Sequence, residues 1–339
     1  MVYVVCDYRE QFDSRLTGVH FNPHPSYSNI EDLMNACSEQ NIDCEYYGGI
    51  EQLIHDVDNK IKYDKNTLFL NYSDGLTQPH ARLQAPVLLE LMGVNYTGSS
   101  PFTVALMCNK YYAKMALSRI IIDNLYFPHG ILITKNMDKD ILHNMNIQYP
   151  AIIKPNNDGF SMGITSNSIV HEYSSVLKQI ENLFSDYDEV LIEDYIAGMD
   201  ASVFLMGNKD NLIINEIIVY KTYGSLYLEN AVRGIDVKAN KLSEKLVGTT
   251  ILSSKLTEQL KFISRKIFSL LNARDIARID YRITTDGKIY FIEINSCPVL
   301  AKHSDAEIVC ESAGVTYSEL IRLYIDIAQK RCGFRKQNI

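Results

Sequence analysis

The sequence predicts a mixed α/β chain in three units: an N-terminal open sheet flanked by helices, a small central α+β unit, and a C-terminal unit built on an antiparallel sheet. Three observations carry this prediction. Short apolar strands alternate with helical patterns over residues 2–72 in β-α-β-α-β order, the arrangement of a sheet with helices on its faces. Residues 149–170 read as a strand, a glycine-containing loop and a second strand. Residues 278–298, RIDYRITTDGKIYFIEINSCP, read as a hairpin turning at Asp286-Gly287.

Composition sets the outer limits. The 339 residues are 46% hydrophobic and 22% charged, enough apolar side chain for two or three cores. The expected divisions are 1–108, 109–205 and 206–339. A net charge of −8 argues against a general polyanion-binding surface, so no nucleic-acid partner is expected, although a local phosphate site is compatible with it. The seven cysteines show no CxxC and no zinc-like spacing, and read as reduced thiols. No apolar run approaches the roughly 18 residues of a membrane helix, and the N-terminus has no basic stretch followed by an apolar one. The expectation is a cytoplasmic protein without a membrane partner.

Taken in order, VYVVC at 2–6 is a buried strand, Ile30–Glu39 a helix, 43–47 a strand, 50–60 a helix and 67–72 a strand. Between the first strand and helix, NPHPSYSN reads as a surface loop. Residues 85–118 are helical on both sides of the turn NYTGSSP, where Ser100 can cap a helix with Pro101 in its first position. Lys110 and Lys114, four apart, share a face of that helix; two such lysines are ordinarily a solvated stripe. In YPAIIKPNNDGFSMGITSNSIV a strand ends at Lys154-Pro155 and leads into a loop with Gly159 and Gly163. Such a loop lets backbone N–H groups approach an anion, although most glycine loops only serve turns. A helix at 173–184, strands at 189–196 and 201–207, irregular pieces over 212–246, and helices at 257–271 and 317–332 complete the reading.

The hairpin carries the chemistry. With Asp286-Gly287 as a two-residue loop, Thr285 faces Lys288, Asp280 stands opposite Glu293 and Arg278 opposite Asn295. These four then share one face, with Ile279, Tyr281, Ile283, Tyr290, Ile292 and Ile294 on the other. Facing carboxylates repel by roughly 0.2–1 kcal/mol. A divalent cation removes the repulsion, and two acids with an amide suit Mg²⁺. Arg278 and Arg282 neutralising the acids on an ordinary polar face is the other reading, and the hairpin alone leaves both open.

In order, LNYSDGLTQPHARLQAPVLLELMGVNYTGSSPFTVALMCNKYYAK, AIIKPNNDGFSMGI, VLIEDYIAGMDASV and the hairpin resemble the ATP-grasp superfamily, within it the D-alanine–D-alanine ligase-like carboxylate–amine ligases. The resemblance runs from about Leu68 to Ser304. It implies an ATP-grasp fold with a pre-ATP domain, a central subdomain and a C-terminal subdomain carrying the metal hairpin. It gives nucleotide contacts to Lys110, Lys154, Gly159, Ser161, Met162 and Gly163. It gives the adenine hinge to Glu193, Asp194, Tyr195 and Ile196, and the ribose acid to Asp200. It places two Mg²⁺, with Mn²⁺ as a substitute, on Asp280, Glu293 and Asn295. Arg278, Lys154 and Ser304 become the catalytic residues, with His303 beside Ser304 near the acceptor and a homodimer as the candidate assembly.

The departures concern substrate. Phe160 stands where the group has the first serine of its loop, leaving Ser161, and Asp158 replaces the loop glutamate. Cys297-Pro298-Val299 interrupts the usual Pro-Gly. The N-terminal acid that greets the first substrate has no clear counterpart, and for the ω-loop lysine Arg233 is the nearest substitute. Dipeptide formation from two D-alanines is therefore not expected. The implied activity is an ATP-dependent ligase that joins a small-molecule carboxylate to an amine through an acyl phosphate, releasing ADP and phosphate, in small-molecule or secondary-metabolite biosynthesis. A catalytically reduced ATP-binding interaction protein and an ATP-grasp kinase or cyclase are the alternatives; Glu293→Gln separates the first, and product identity the second. Cys297, beside Asn295, reads as a small buried hydrophobe.

Overall fold

The computed structural model describes residues 1–12, 24–76, 80–137, 146–157, 159, 161–209 and 211–334. Asn22 and Pro23 of the NPHPSYSN loop, together with Asp158 and Phe160, lie outside them. The N-terminal segment gives β1 (Val2–Val5), α1 (Tyr27–Glu39), β2 (Cys44–Gly48), α2 (Ile50–Asp58), β3 (Leu68–Asn71), α3 (Gln84–Met92) and β4 (Asn95–Tyr96). Its strands are parallel in the order β2-β1-β3-β4, the open sheet expected from the β-α-β-α-β pattern with β4 added at the edge. Parallel sheets are covered on both faces and their strands read as unbroken apolar runs. Val4 and Leu70 accordingly pack on one side with Ile30 and Leu33 of α1, and Val5 and Phe69 on the other with Leu53 of α2 and Leu89 of α3.

The helix expected through 100–118 is two helices, α4 (Pro101–Cys108) and α5 (Lys110–Ser118). Ser100 caps the first, its Oγ accepting from Thr103 N–H at 3.4 Å with Pro101 in the first turn. Asn109 separates them. It leaves helical geometry (φ −103°, ψ 104°), and its side chain accepts from Tyr112 N–H at 2.9 Å, starting α5 afresh at Lys110.

Next come β5 (Leu125–Tyr126), β6 (Gly130–Thr134), β7 (Ala151–Pro155), β8 (Ile169–Val170), α6 (Tyr173–Leu183) and β9 (Glu189–Asp194). All of these strands but β5 make a four-stranded antiparallel sheet in the order β6-β9-β7-β8, against which Val176 and Ile180 of α6 pack on Ile153, Val190 and Ile192. β6 lies in a stretch to which the sequence pattern assigned no element.

The rest comprises β10 (Gly198–Asn208), β11 (Asn211–Thr222), β12 (Tyr227–Leu228), α7 (Ile235–Ala239), β13 (Ser243–Val247), α8 (Ser254–Leu270), β14 (Arg274–Ile283), β15 (Ile289–Asn295), α9 (Asp305–Ala313) and α10 (Tyr317–Arg331). A sheet ordered β13-β11-β10-β14-β15-β5, with β12 beside β10, forms the floor of this part. Leu260, Ile263 and Ile267 of α8 cover one face through Val203, Ile279 and Tyr281. Tyr324 and Ile325 of α10 join the other face, at Phe204 and Ile276, to α1 of the first sheet. β10 runs unbroken through position 205, where the sequence reading placed a division.

Candidate functional site

The hairpin β14–β15 sets Asp280 against Glu293 and Arg278 against Asn295, the expected pairs. The turn that produces them differs from expectation. Gly287 N–H donates to Thr284 O at 2.9 Å and Thr284 N–H to Lys288 O at 3.0 Å, so Lys288 faces Thr284 across a three-residue loop ending in Gly287 at φ 83°. That alone would shift every pair by one residue. A bulge between Asp280 and Tyr281 shifts the register back. The face assignment changes accordingly: Ile289 and Phe291 join the core, whereas Ile292 lines the cavity beside Glu293 and Tyr290 packs on Tyr126.

Cations surround the acids. Arg278 Nε and Nη2 each donate to Asp280 at 2.8 Å, and Nη1 donates to Asp305 Oδ2 at 3.0 Å. Ser202 Oγ also donates to Asp280, at 2.7 Å. Glu293 meets Lys110 Nζ at 3.2 Å. Burial opposes the charge of Glu293, but Lys110, Lys154 and Arg278 outweigh it and hold the carboxyl at about 2. Burial, with Glu293 adding repulsion, raises Asp280 despite Arg278. Arg282 turns instead to Asp200, Nε to Oδ1 at 3.3 Å. The charge-neutralised reading of the hairpin thus holds for Arg278 and not for Arg282. Asn295 Nδ2 lies 3.5 Å from Asp280 Oδ2. Among the described residues no group of three or more His, Cys, Asp or Glu converges as a metal cage, so any metal on this hairpin draws on two acids and the amide.

The lysines are not a solvated stripe. Lys110 and Lys114 are buried. Lys110 N–H donates to Asn156 O at 3.1 Å, which fixes the start of α5 to the end of β7. Lys114 and Lys154 close on Glu193 at 2.5 and 2.7 Å. Burial lowers Lys114 to about 7, with Glu193 opposing, while the two lysines overcome burial to keep Glu193 ionised below its ordinary range. Glu193 is thus an interior counter-ion at the end of β9. The next two hinge residues are tied through their backbones, Asp194 N–H to His129 O at 3.0 Å and Tyr195 N–H to Pro150 O at 2.9 Å. Ile196 follows, partly exposed, before β10.

Beyond β7 the loop folds back tightly. Gly163 has φ +67°, and a Cβ there would stand 2.6 Å from Pro155 Cγ, so only glycine fits. Met162 is buried and Ser161, also at positive φ, lines the cavity. Ser161 Oγ donates to Arg233 O at 3.2 Å and receives Lys238 Nζ at 2.6 Å. Lys238 was missed from the sequence. It sits on the short helix α7, within a stretch read as irregular, and only chain closure brings it to the loop 77 residues earlier. Burial lowers it to about 8, with Arg233 and Arg278 adding repulsion. Arg233 also lines the cavity, its guanidinium carbon 3.8 Å from the Tyr220 ring centroid.

One cavity therefore gathers Lys110, Lys154, Ser161, Lys238, Arg278 and Glu293, with Asp280 and Asp200 on its wall and Ile152, Ile164 and Val232 as its apolar part. Among the described residues, Asp200 Oδ2 is buried with no hydrogen-bond partner. Ser304 is not among these lining groups: it caps α9, its Oγ accepting from Ala306 N–H at 3.1 Å and donating to Ala301 O at 2.7 Å. His303 is 91% exposed, which leaves its ring in solvent. Cys297 packs against the core and burial raises its thiol to about 12, as a small hydrophobe requires.

No helix of the described residues is long and apolar enough to cross a membrane. The family model for the D-ala D-ala ligase C-terminus matches residues 132–326. An uncharacterized protein, y4sG, of Sinorhizobium fredii is 28% identical over 268 residues, 78% of this chain and 75% of its own length. A D-alanine–D-alanine ligase of Aquifex aeolicus is 28% identical over 239 residues, 70% of this chain and 75% of its own length. In fold, the ATP complex of D-alanine–D-alanine ligase from Bacillus anthracis superposes with a TM-score of 0.71 at 19% identity, over 98% of this chain and 99% of that one. The VanG D-Ala:D-Ser ligase from Enterococcus faecalis gives 0.70 at 18% identity, over 96% and 99%. Since the family match spans more than half of the chain, the protein belongs to the D-ala D-ala ligase C-terminus family and is an ATP-grasp ligase, an enzyme that forms C–N bonds.

Proposed function

We propose that the protein is an ATP-dependent carboxylate–amine ligase that forms an amide through an acyl phosphate, acting in small-molecule biosynthesis on an acid–amine pair other than two D-alanines. The observation that carries this reading is the convergence of Lys110, Lys154, Lys238 and Arg278 on one cavity around the facing acids Asp280 and Glu293. Four cations in a shielded space suit a polyphosphate, and an acid pair among them suits the cation that accompanies it.

ATP fits the cavity's other end. The buried, unpartnered Oδ2 of Asp200 is an acceptor suited to a ribose hydroxyl, next to an apolar wall suited to a base and to the hinge at Asp194–Ile196. Gly159, Ser161, Met162 and Gly163 form the loop over the phosphates. Asp280, Glu293 and Asn295 are the oxygen donors that would hold Mg²⁺ or Mn²⁺; the metal, when bound, supplies positive charge where the phosphate oxygens gather.

In the reaction, Lys110, Lys154 and Lys238 neutralise the phosphates while an oxygen of the substrate carboxylate bonds to the γ-phosphorus and ADP leaves. The amine nitrogen then bonds to the acyl carbon and phosphate departs. Arg278, whose Nε and Nη2 hold Asp280 and whose Nη1 holds Asp305, turns only the remaining N–H bonds of its two terminal nitrogens to the oxyanion. Ser304, committed to the α9 cap, orders the acceptor side through the position of Val299 and Ala301.

Against a D-alanyl-D-alanine product stand Phe160 in the loop, Val299 in place of the usual glycine, and the absence of a matching N-terminal acid. The proposed units are 1–108, a central unit from 109 that ends before β10 rather than within it, and a C-terminal unit to 339. The test is ADP release over a panel of acids and amines: release that requires both an acid and an amine, and that D-alanine alone does not support, is the expected result. No release above background across the panel refutes the ligase, and full release with D-alanine alone refutes the proposed selectivity.

A further inference from the structure

Arg278 is held by two carboxylates, and only one of them belongs to the hairpin. Its Nε and Nη2 use Asp280, whose Oδ1 also takes Ser202 Oγ. Two bonds to one carboxylate fix an edge of the guanidinium but leave the group free to rock about that edge. The third bond, from Nη1 to Asp305 Oδ2 at 3.0 Å, removes that freedom. Asp305 sits in the first turn of α9, where an acid ordinarily stands in water and answers only the helix dipole. Here its side chain is 11% exposed and has two further partners: Tyr220 OH donates to Oδ2 at 3.1 Å, and Lys245 Nζ stands 3.3 Å from Oδ1. Tyr220 and Lys245 are directly opposite each other on β11 and β13, so one face of that strand pair meets the start of α9. Burial opposes the charge of Asp305, but Arg278, Lys245 and Arg233 outweigh it and hold the carboxyl at about 2.

The residues before Asp305 give it a firm base. Ser304 Oγ donates to Val299 O at 2.9 Å and to Ala301 O at 2.7 Å. Leu300 N–H donates to the Tyr72 hydroxyl at 3.2 Å, and Tyr317 OH donates to Leu300 O at 2.7 Å. Lys245 Nζ also stands 3.5 Å from His303 O. The turn from Val299 to Ser304 is thus pinned by the first sheet, by α10 and by β13, and Asp305 extends it onto Arg278. Asp305 is not among the residues that line the cavity, so it reaches the reaction only through that guanidinium.

We propose that Asp305 is the positioning residue for Arg278 in amide formation, aiming the remaining N–H bonds of the guanidinium at the acyl carbon from the turn on the acceptor side. This rests on the ligase reading. It confines the effect of Asp305 to the second chemical step: acyl-phosphate formation, which draws on Lys110, Lys154 and Lys238, proceeds without it, whereas attack by the amine depends on it.

The experiment is rapid acid quench of the full chain with MgATP and the acid and amine that support ADP release in the wild type. In Asp305→Asn, which keeps the shape and removes the charge, the first ADP per site forms at the wild-type rate while steady-state turnover falls by about tenfold, so a burst appears. Lys245→Met loosens Asp305 without touching Arg278 and gives the same pattern with a fall of about threefold, which keeps the test open should Asp305→Asn not fold. In both variants calorimetry gives a dissociation constant for the Mg²⁺ complex of a non-hydrolysable ATP analogue within twofold of wild type. A first turnover slowed as much as the steady state, or analogue affinity lost in parallel, marks a merely structural anchor and overturns the proposal; unchanged turnover overturns it too and leaves the ligase reading intact. If the wild type itself releases no ADP with any acid and amine, the ligase reading fails and this proposal falls with it.

Discussion

Replacing Glu193 with Gln is the most direct perturbation of the site's interior electrostatics. The carboxylate is 2% exposed and lies 2.5 Å from Lys114 and 2.7 Å from Lys154, both also buried. Gln keeps the shape but offers an acceptor to only one lysine and turns an N–H₂ donor toward the other. Breaking a buried ion pair by removing one partner destabilises by about 3–5 kcal/mol, since the surviving charge stays desolvated. Here one survivor can escape by losing its proton. Lys114 already sits at about 7, and without Glu193 it falls further, so it becomes neutral at neutral pH in the variant. Its folded value lies below the roughly 10.4 of an exposed lysine, so the unfolded chain binds more protons and the Lys114 contribution to stability rises with pH. Between the variant's lower value and about 7, that rise occurs in the variant alone. The gap between wild type and Glu193→Gln therefore narrows from pH 6 to pH 9, leaving mainly the loss at Lys154. With 22 Tyr and no Trp, far-UV circular dichroism in urea is the natural assay. The double variant Glu193→Gln, Lys114→Met is more stable than Glu193→Gln alone. A midpoint shift worth under about 0.5 kcal/mol at pH 6, a gap that widens with pH, or no recovery in the double variant would refute the reasoning.

Lys238→Met abolishes a descending limb near pH 8 in ATP-analogue affinity, because burial and the neighbouring Arg233 and Arg278 hold Lys238 at about 8 and it carries charge only below that value; a limb that persists in the variant assigns it elsewhere. Gly163→Ala, at φ +67° and with its new Cβ 2.6 Å from Pro155 Cγ, displaces the loop and weakens nucleotide binding at least tenfold in a calorimetric titration. Asp275→Asn removes the charge held by Arg331 at 2.7 and 2.9 Å and weakens an acceptor of Gly98 N–H, so thermal unfolding moves down by several degrees.

What could be read from the chain was whatever neighbours in sequence decide. Alternating apolar runs gave the first sheet, because a parallel strand is buried on both faces and carries that fact in its own residues. Ser100-Pro101 announced its helix for the same reason, since a cap is a contact across three residues. The break at Asn109 was as local but was hidden by helical residues on both sides. The partners of Lys110, Lys114 and Lys238 could not be read at all. A lysine's sequence neighbours do not say whether an acid 79 residues away will fold over it, as Glu193 does over Lys114, and without that partner a solvated stripe is the physically sensible expectation.

The hairpin shows how a correct pairing can rest on an incorrect turn. Alternation from a two-residue Asp-Gly loop puts Asp280 opposite Glu293, and so does the structure, but by way of a three-residue loop and a compensating bulge. Two one-residue displacements of opposite sign leave the acid pair where the simple count had it. They do not leave the intervening residues there. Between the loop and the bulge every β15 side chain has changed face, which sends Phe291 into the core beside Tyr281 and turns Ile292 to the cavity. The bulge thereby sets an apolar residue and an acid side by side on the same surface, an arrangement that strict alternation forbids. That adjacency shields one flank of Glu293 from water, so its exchange with Lys110 and Lys154 takes place in a medium where charge counts for more. The part of the hairpin that sequence counting got wrong is thus the part that strengthens the electrostatics of the part it got right.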